Sequence, residues 1–150
     1  MNFLRLLQFW RKPKDQPDSP RDDRISRGAS GERFAERELK RAGCKIIARD
    51  VKDKHGQLDL VVRPPEGGVA VVEVRASKRA DQGRDLDMLP HSKQQQVIRT
   101  ARRLLVSRKL WQRGQNLRFD AVFVQLDERG KAISARHIPN AFQATQRDWF

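Results

Sequence analysis

Asp59 and Glu73 flank a turn that brings two carboxylates face to face. The turn, Pro64-Pro65-Glu66-Gly67-Gly68, combines the residue types that reverse a chain most readily. Residues 57–63 alternate polar and apolar before it, and the Val-rich residues 69–75 follow, so both runs read as strands. If they pair symmetrically about Glu66, Asp59 lies opposite Glu73 and Gln57 opposite Arg75. Directly opposed side chains share a face, with Cβ atoms about 4.5–5.5 Å apart, and alternation places all four residues on that face. Two carboxylates held this way repel, and strands so rich in Val expect burial, so something positive must compensate. A divalent cation does so directly, and Mg²⁺ (or Mn²⁺) suits one or two carboxylates plus a substrate phosphate. In the competing reading, Arg75 and nearby lysines neutralise the pair as a structural network. A one-residue slip in register would send the two acids to opposite faces.

Charge points towards a polyanionic partner. The chain has 150 residues and a net charge of +13. Residues 75–113 carry eleven basic and three acidic residues, so +8 of that excess lies in one stretch. Such a concentration favours nucleic acid through counterion release. A solvated helix face and an acidic membrane surface are the other readings.

The elements that must position these residues follow from periodicity and punctuation. Residues 1–29 read as a disordered extension: residues 1–10 form a short apolar segment, and Pro13, Pro17 and Pro20 punctuate a charged linker. The apolar start is too short to span a bilayer and lacks a signal-peptide cleavage pattern. A helix is expected from Ser30, capped by its hydroxyl, with Phe34, Ala35, Leu39 and Ala42 on one face and Gly43 as the stop. A strand is expected at 44–51, then the hairpin, a long polar loop at 76–90 and a helix at 92–110. Val97, Ala101, Leu104 and Leu105 form the apolar face of that second helix, with Arg99, Arg102 and Arg103 opposite. Strands at 117–124 and 132–138 follow, and a short helix after Pro139. This order predicts an α/β domain over 30–143, a mixed sheet flanked by helices, with 144–150 as a tail.

Several motifs are similar to those of YraN-like proteins, small bacterial proteins with a fold like that of Holliday-junction resolvases and restriction endonucleases. They are Gly31-Glu32 with Ala35 and Leu39, Gly56-Gln57-Leu58-Asp59-Leu60, and Val71-Val72-Glu73-Val74-Arg75. The similarity continues through Ser92-Lys93, Arg118-Phe119-Asp120 and Asn140-Ala141-Phe142, spanning roughly residues 28–143. The resemblance implies a restriction-endonuclease-like αβββαβ core and a PD-(D/E)xK site. Asp59 and Glu73 would be the metal ligands, and Glu32, or alternatively Glu36, the acidic residue contributed by the first helix. Arg75 stands where nucleases of this class usually carry Lys, and Gln57 where the family motif carries Glu. A guanidinium does not deprotonate a water, but it does hold phosphate and stabilise developing charge.

The expected function is therefore a Mg²⁺-dependent endonuclease acting on nucleic acid, DNA and branched DNA in particular, with Glu32, Asp59, Glu73 and Arg75 as its catalytic set. The alternative is a protein that keeps the nuclease fold and only binds DNA or RNA. A third is a membrane-surface adaptor using residues 1–10 and the basic helix. Lys78, Arg79 and Arg84 in the loop, and Lys93 one turn before Val97, are the expected phosphate contacts. Resolvase relatives act as dimers, which makes a homodimer an expectation of the resemblance. The lone Cys44 excludes an internal disulfide and supports a cytoplasmic location. His55, His91 and His137 show no metal-ligand spacing. Trp10, Trp111 and Trp149 are scattered, so the sequence suggests no base-stacking platform.

Overall fold

The structure, a computed structural model, describes residues 20–78 and 89–148. Its elements are α1 (Pro20–Arg41), β1 (Lys45–Asp53), β2 (Gly56–Arg63), β3 (Val69–Ser77), α2 (His91–Ser107), β4 (Leu117–Leu126) and β5 (Ala132–Phe142). The five strands form one sheet in sequence order. Three neighbouring pairs are antiparallel, and β3 and β4 run parallel. Parallel neighbours need a crossover, and α2 supplies it.

Alternation along the strands divides the core in two. Val69, Val71, Phe119 and Phe123 pack on the face covered by Val97, Ile98, Ala101, Leu104 and Leu105 of α2. Ala70, Val72, Val122 and Val124 pack on the other face, under Ala35 and Leu39 of α1. This is an α+β layout, a mixed sheet with one helix on each side, as the motif order predicts. No helix among the described residues is long and apolar enough to cross a membrane.

Several boundaries differ from expectation. The first helix begins at Pro20, so Ser30 lies inside it and caps nothing. Proline suits the first helical position because its missing N–H would have no partner there. Gly43 does end the helix, with φ at +84°, and the Cys44 N–H reaches back to the Leu39 carbonyl. Strand β3 runs on to Ser77, into the stretch expected as loop. Pro139 opens no helix; it lies in β5, an edge strand where a missing N–H is tolerated. Only a short 3₁₀ turn, Gln146–Asp148, follows. Residues 1–10, Arg79, Arg84 and Trp149 lie outside the described residues.

The β1–β2 turn is pressed beneath α2. A Cβ added at Gly56 would stand 2.5 Å from Thr100 Oγ1 and 3.2 Å from its Cγ2. Thr100 is buried and β-branched, so it has little freedom to yield. Gly56→Ala is expected to cost about 1–3 kcal/mol by overpacking. Adding Thr100→Ala should return most of that loss. Urea denaturation of the two single variants and the double variant measures the coupling; purely additive losses would show that the contact is not the cause.

Candidate metal and nucleic-acid site

The β2–β3 hairpin pairs in the symmetric register. Leu60 faces Val72, Val61 faces Val71 and Val62 faces Ala70, all centred on Glu66. At the next position the regular ladder stops, and the Asp59 side chain takes over. Its Oδ2 accepts the Val74 N–H at 2.8 Å. Alternation in β2 breaks at the same point, because Leu58 packs with the α2-side core and Leu60 with the α1 side. A local irregularity of this kind re-aims a side chain, as a bulge does.

Asp50 lies across from that break. On β1, Arg49 pairs with Leu60 and Val51 with Leu58, and Asp50 between them has φ +48°, in the left-handed region. Its charge reaches both Asp59 and Glu32 and helps to raise the pKa of each. Sequence reasoning missed this residue. Symmetric pairing of the first turn about Lys54-His55, like that of the second about Glu66, places Asp50 opposite Asp59.

Glu73 is buried, at 6% exposure. Burial pushes its carboxyl above the usual range, and the Asp59 charge pushes it further; Lys93 and Arg75 pull it back. The Lys93 ammonium stands 3.0 Å from Glu73 Oε1. Burial likewise raises Asp59, against the lowering effect of the Val74 N–H and Lys93. The two acids thus act on each other through their charges, but the direct cross-strand pairing expected of them is replaced by the Asp59–Val74 hydrogen bond, and part of the compensating charge comes from α2. Lys93 is accordingly an ion-pair partner inside the site. Arg75 is exposed and acts on Glu73 through its charge.

Of the two first-helix candidates, Glu32 is the one near the site. It is half-buried, and its carboxyl is raised by burial, then by Asp59 and Asp50. Gly31 helps bring it there, since a Cβ on that residue would stand 3.0 Å from the Ala76 Cβ at the end of β3. Glu36 is engaged elsewhere. It accepts two hydrogen bonds from Arg49, at 2.9 and 2.5 Å, and pairs with Lys40 at 3.0 Å, which lowers its carboxyl to about 2. Among the described residues, no three His, Cys, Asp or Glu side chains converge closely enough to hold an ion. The fit to a metal therefore rests on two carboxylates. That number suits Mg²⁺, which keeps several waters and takes phosphate oxygens for the rest of its shell.

Other sequence candidates fall elsewhere. Gln57 is exposed and pairs with Lys52 of β1. The Lys78 ammonium donates to the Glu128 carbonyl at 3.0 Å, which ties it to the β4–β5 turn. The His55 backbone N–H donates to Asp53, so this residue forms the turn. Asp53 also binds the Arg103 guanidinium, which holds its carboxyl well below the usual range. Cys44 is buried, and burial pushes its thiol up, in keeping with a packing role.

A mixed five-stranded sheet between two helices, with paired carboxylates on its central hairpin, defines an α+β protein consistent with a restriction-endonuclease-like core. A model of the uncharacterised protein family UPF0102 matches residues 31–124. The chain belongs to this family, which is the YraN-like family its motifs resemble. A UPF0102 protein of Nitratidesulfovibrio vulgaris is 35% identical over 127 residues, covering 83% of this chain and 90% of the relative. Another, from Syntrophotalea carbinolica, is 34% identical, covering 79% and 93%. A third, from Pelotomaculum thermopropionicum, is 34% identical, covering 81% and 98%.

Proposed function

We propose that this protein is a divalent-metal-dependent phosphodiesterase that acts on nucleic acid, DNA in the first instance. The observation that carries the reading is the half-buried Asp59 beside the buried Glu73, at the point where β2 and β3 cease regular pairing. Asp59 and Glu73 would hold Mg²⁺ or Mn²⁺, with the Val74 carbonyl as a further oxygen. The bound cation would supply a water of lowered pKa and offset charge on the scissile phosphate. The Val74 N–H fixes the orientation of Asp59. Lys93, already beside Glu73, and Arg75 at the rim would hold the phosphate, and Glu32 would complete the acidic rim.

The electrostatics give a test that needs no substrate. Both carboxyls have folded-state pKa values raised above their unfolded ones. Their contribution to stability is present below the ordinary carboxylate range and is lost as pH rises through the raised values. Without a cation, the pair therefore weakens the fold at neutral and alkaline pH. Mg²⁺ should raise the melting temperature more at pH 8 than at pH 5, by about 2–4 °C for each kcal/mol gained. The difference should vanish in an Asp59→Asn/Glu73→Gln variant. Equal shifts in the variant would remove the metal from this site.

Activity is tested by a cleavage panel of linear, nicked, single-stranded and four-way DNA with Mg²⁺ or Mn²⁺, run against the same double variant. Gln57, the exposed Arg75 and the lack of a third converging carboxylate among the described residues favour a second reading, a nucleic-acid-binding protein without catalysis. It predicts steeply salt-dependent binding, no metal requirement and an uncut panel.

A further inference from the structure

Residues 88–119 contain eight Lys and Arg residues and no acidic residue. On α2 these charges are divided. Lys93 turns inward to Glu73, whereas Arg99, Arg102 and Val106 turn to the outside. With Trp111 beyond the end of the helix, they line a groove of about 730 Å³. Lys93 and Arg102 are nine residues apart, which is half a turn out of phase, so the groove lies on the side of α2 away from the carboxylate pair.

Three features describe what the groove would take. Val106 is 58% exposed, so the groove presents an apolar side chain among cations. Trp111 is half-buried, one side packed against the core, and its Nε1–H donates to the Gln115 carbonyl at 3.0 Å, so the indole is held in place. Two nearby acids are already engaged: Asp53 by Arg103, and the Asp148 carboxylate by the Thr145 hydroxyl and N–H. Arg102 donates to the Asp148 main-chain carbonyl at 3.1 Å and keeps its charge.

We propose that this groove binds an unpaired segment of nucleic acid, with phosphates on Arg99 and Arg102 and a base stacked on Trp111. This deepens the nucleic-acid reading above and rests on it. Duplex hides its base faces, whereas an unpaired base offers one to an aromatic ring flanked by cations. A membrane surface is a poor match, because Trp111 is half-buried, packed against the core and part of the groove lining. A substrate touching both sites must pass around α2, so the substrate class is a nucleic acid with a single-stranded arm.

The test measures binding of the full chain to a fluorescent oligothymidylate and to a duplex of equal length, in EDTA. Arg99→Ala/Arg102→Ala should weaken oligothymidylate binding at least about tenfold. It should also flatten the log K against log salt slope by about 1.4, at about 0.7 per phosphate. Val106→Glu, at an exposed position, should weaken it similarly and leave duplex binding within about threefold. Oligothymidylate should quench tryptophan emission, and Trp111→Phe should remove that quench. Equal weakening on duplex, or polyglutamate or phosphatidylserine vesicles bound as tightly through the same residues, would overturn the proposal. Because EDTA removes any cation, the two readings fail separately. If the metal reading is wrong, the groove variants still lose oligothymidylate; if the groove is wrong, the cleavage panel is untouched.

Discussion

Asp59→Asn is expected to abolish metal-dependent cleavage, by about 10³-fold or more, while nucleic-acid affinity stays level or rises. The substitution changes charge and hardly changes shape. Asp59 Oδ2 accepts the Val74 N–H, and the amide oxygen of Asn accepts the same bond, so β2 and β3 keep their spacing. What disappears is one of the two anionic ligands. A cation at a scissile phosphate is worth several kcal/mol of transition-state stabilisation, and each tenfold in rate is about 1.4 kcal/mol. Losing the cation accounts for the predicted drop. The Glu73 carboxyl, now raised only by burial, should fall back towards its usual range as the Asp59 charge is removed. One fewer anion beside the incoming phosphate also favours binding. Single-turnover cleavage with Mn²⁺, alongside binding measured in EDTA, reads both effects. Undiminished nicking by the purified variant would exclude Asp59 from the chemistry.

How far such a site can be read from sequence depends on what kind of constraint places each residue. The hairpin was legible because a compact Pro-Pro-Glu-Gly-Gly turn leaves one symmetric register, and Leu60–Val72 to Val62–Ala70 keep it. Helix α2 was legible from Val97, Ala101, Leu104 and Leu105, one apolar stripe at the helical period. The start of α1 was not, because residues 20–29 carry almost no apolar periodicity, and a Ser at position 30 mimics a cap. The break in alternation at Asp59 was hidden as well. It coincides with a left-handed backbone at Asp50 on a different strand, which no local pattern in β2 reports. Lys93 could be placed on the inward edge of its helix, but its ion pair with Glu73 is set by how α2 crosses the sheet. The choice between Glu32 and Glu36 turned on Arg49, thirteen residues beyond Glu36, which captures Glu36. Trp111 looked isolated because its neighbours in the groove come from the preceding helix, with no second aromatic nearby in sequence.

Asp120→Ala should cost about 3–5 kcal/mol of folding stability, the loss expected when one partner of a buried charge network is removed. Asp120 is fully buried on β4, at 0% exposure. Arg118 donates to both of its oxygens, at 2.9 and 3.0 Å, and His137 Nε2 donates to Oδ2 at 2.8 Å. The Asn140 N–H donates to Oδ1 at 2.9 Å, at a place where the β4–β5 register shifts and Asn140 itself has φ +51°. One carboxylate therefore satisfies an arginine, a histidine and the main chain of an irregular edge strand. Burial on its own would raise the Asp120 carboxyl; His137, Arg118 and the Asn140 N–H together hold it below its usual range. A depressed carboxyl contributes stability above the ordinary carboxylate range and loses it as pH falls through the folded-state value. This slope is opposite in sign to that of the Asp59–Glu73 pair. Removing Asp120 should thus lower stability at pH 7 and also flatten its fall on the acid side. Asp120→Asn, which can still accept the Asn140 N–H but offers Arg118 no charge, should lie between wild type and Ala. Urea denaturation at pH 7 and pH 4 tests both points. A loss under about 1 kcal/mol for Ala at pH 7 would mean that Arg118 and His137 find water or other partners once the carboxylate is gone.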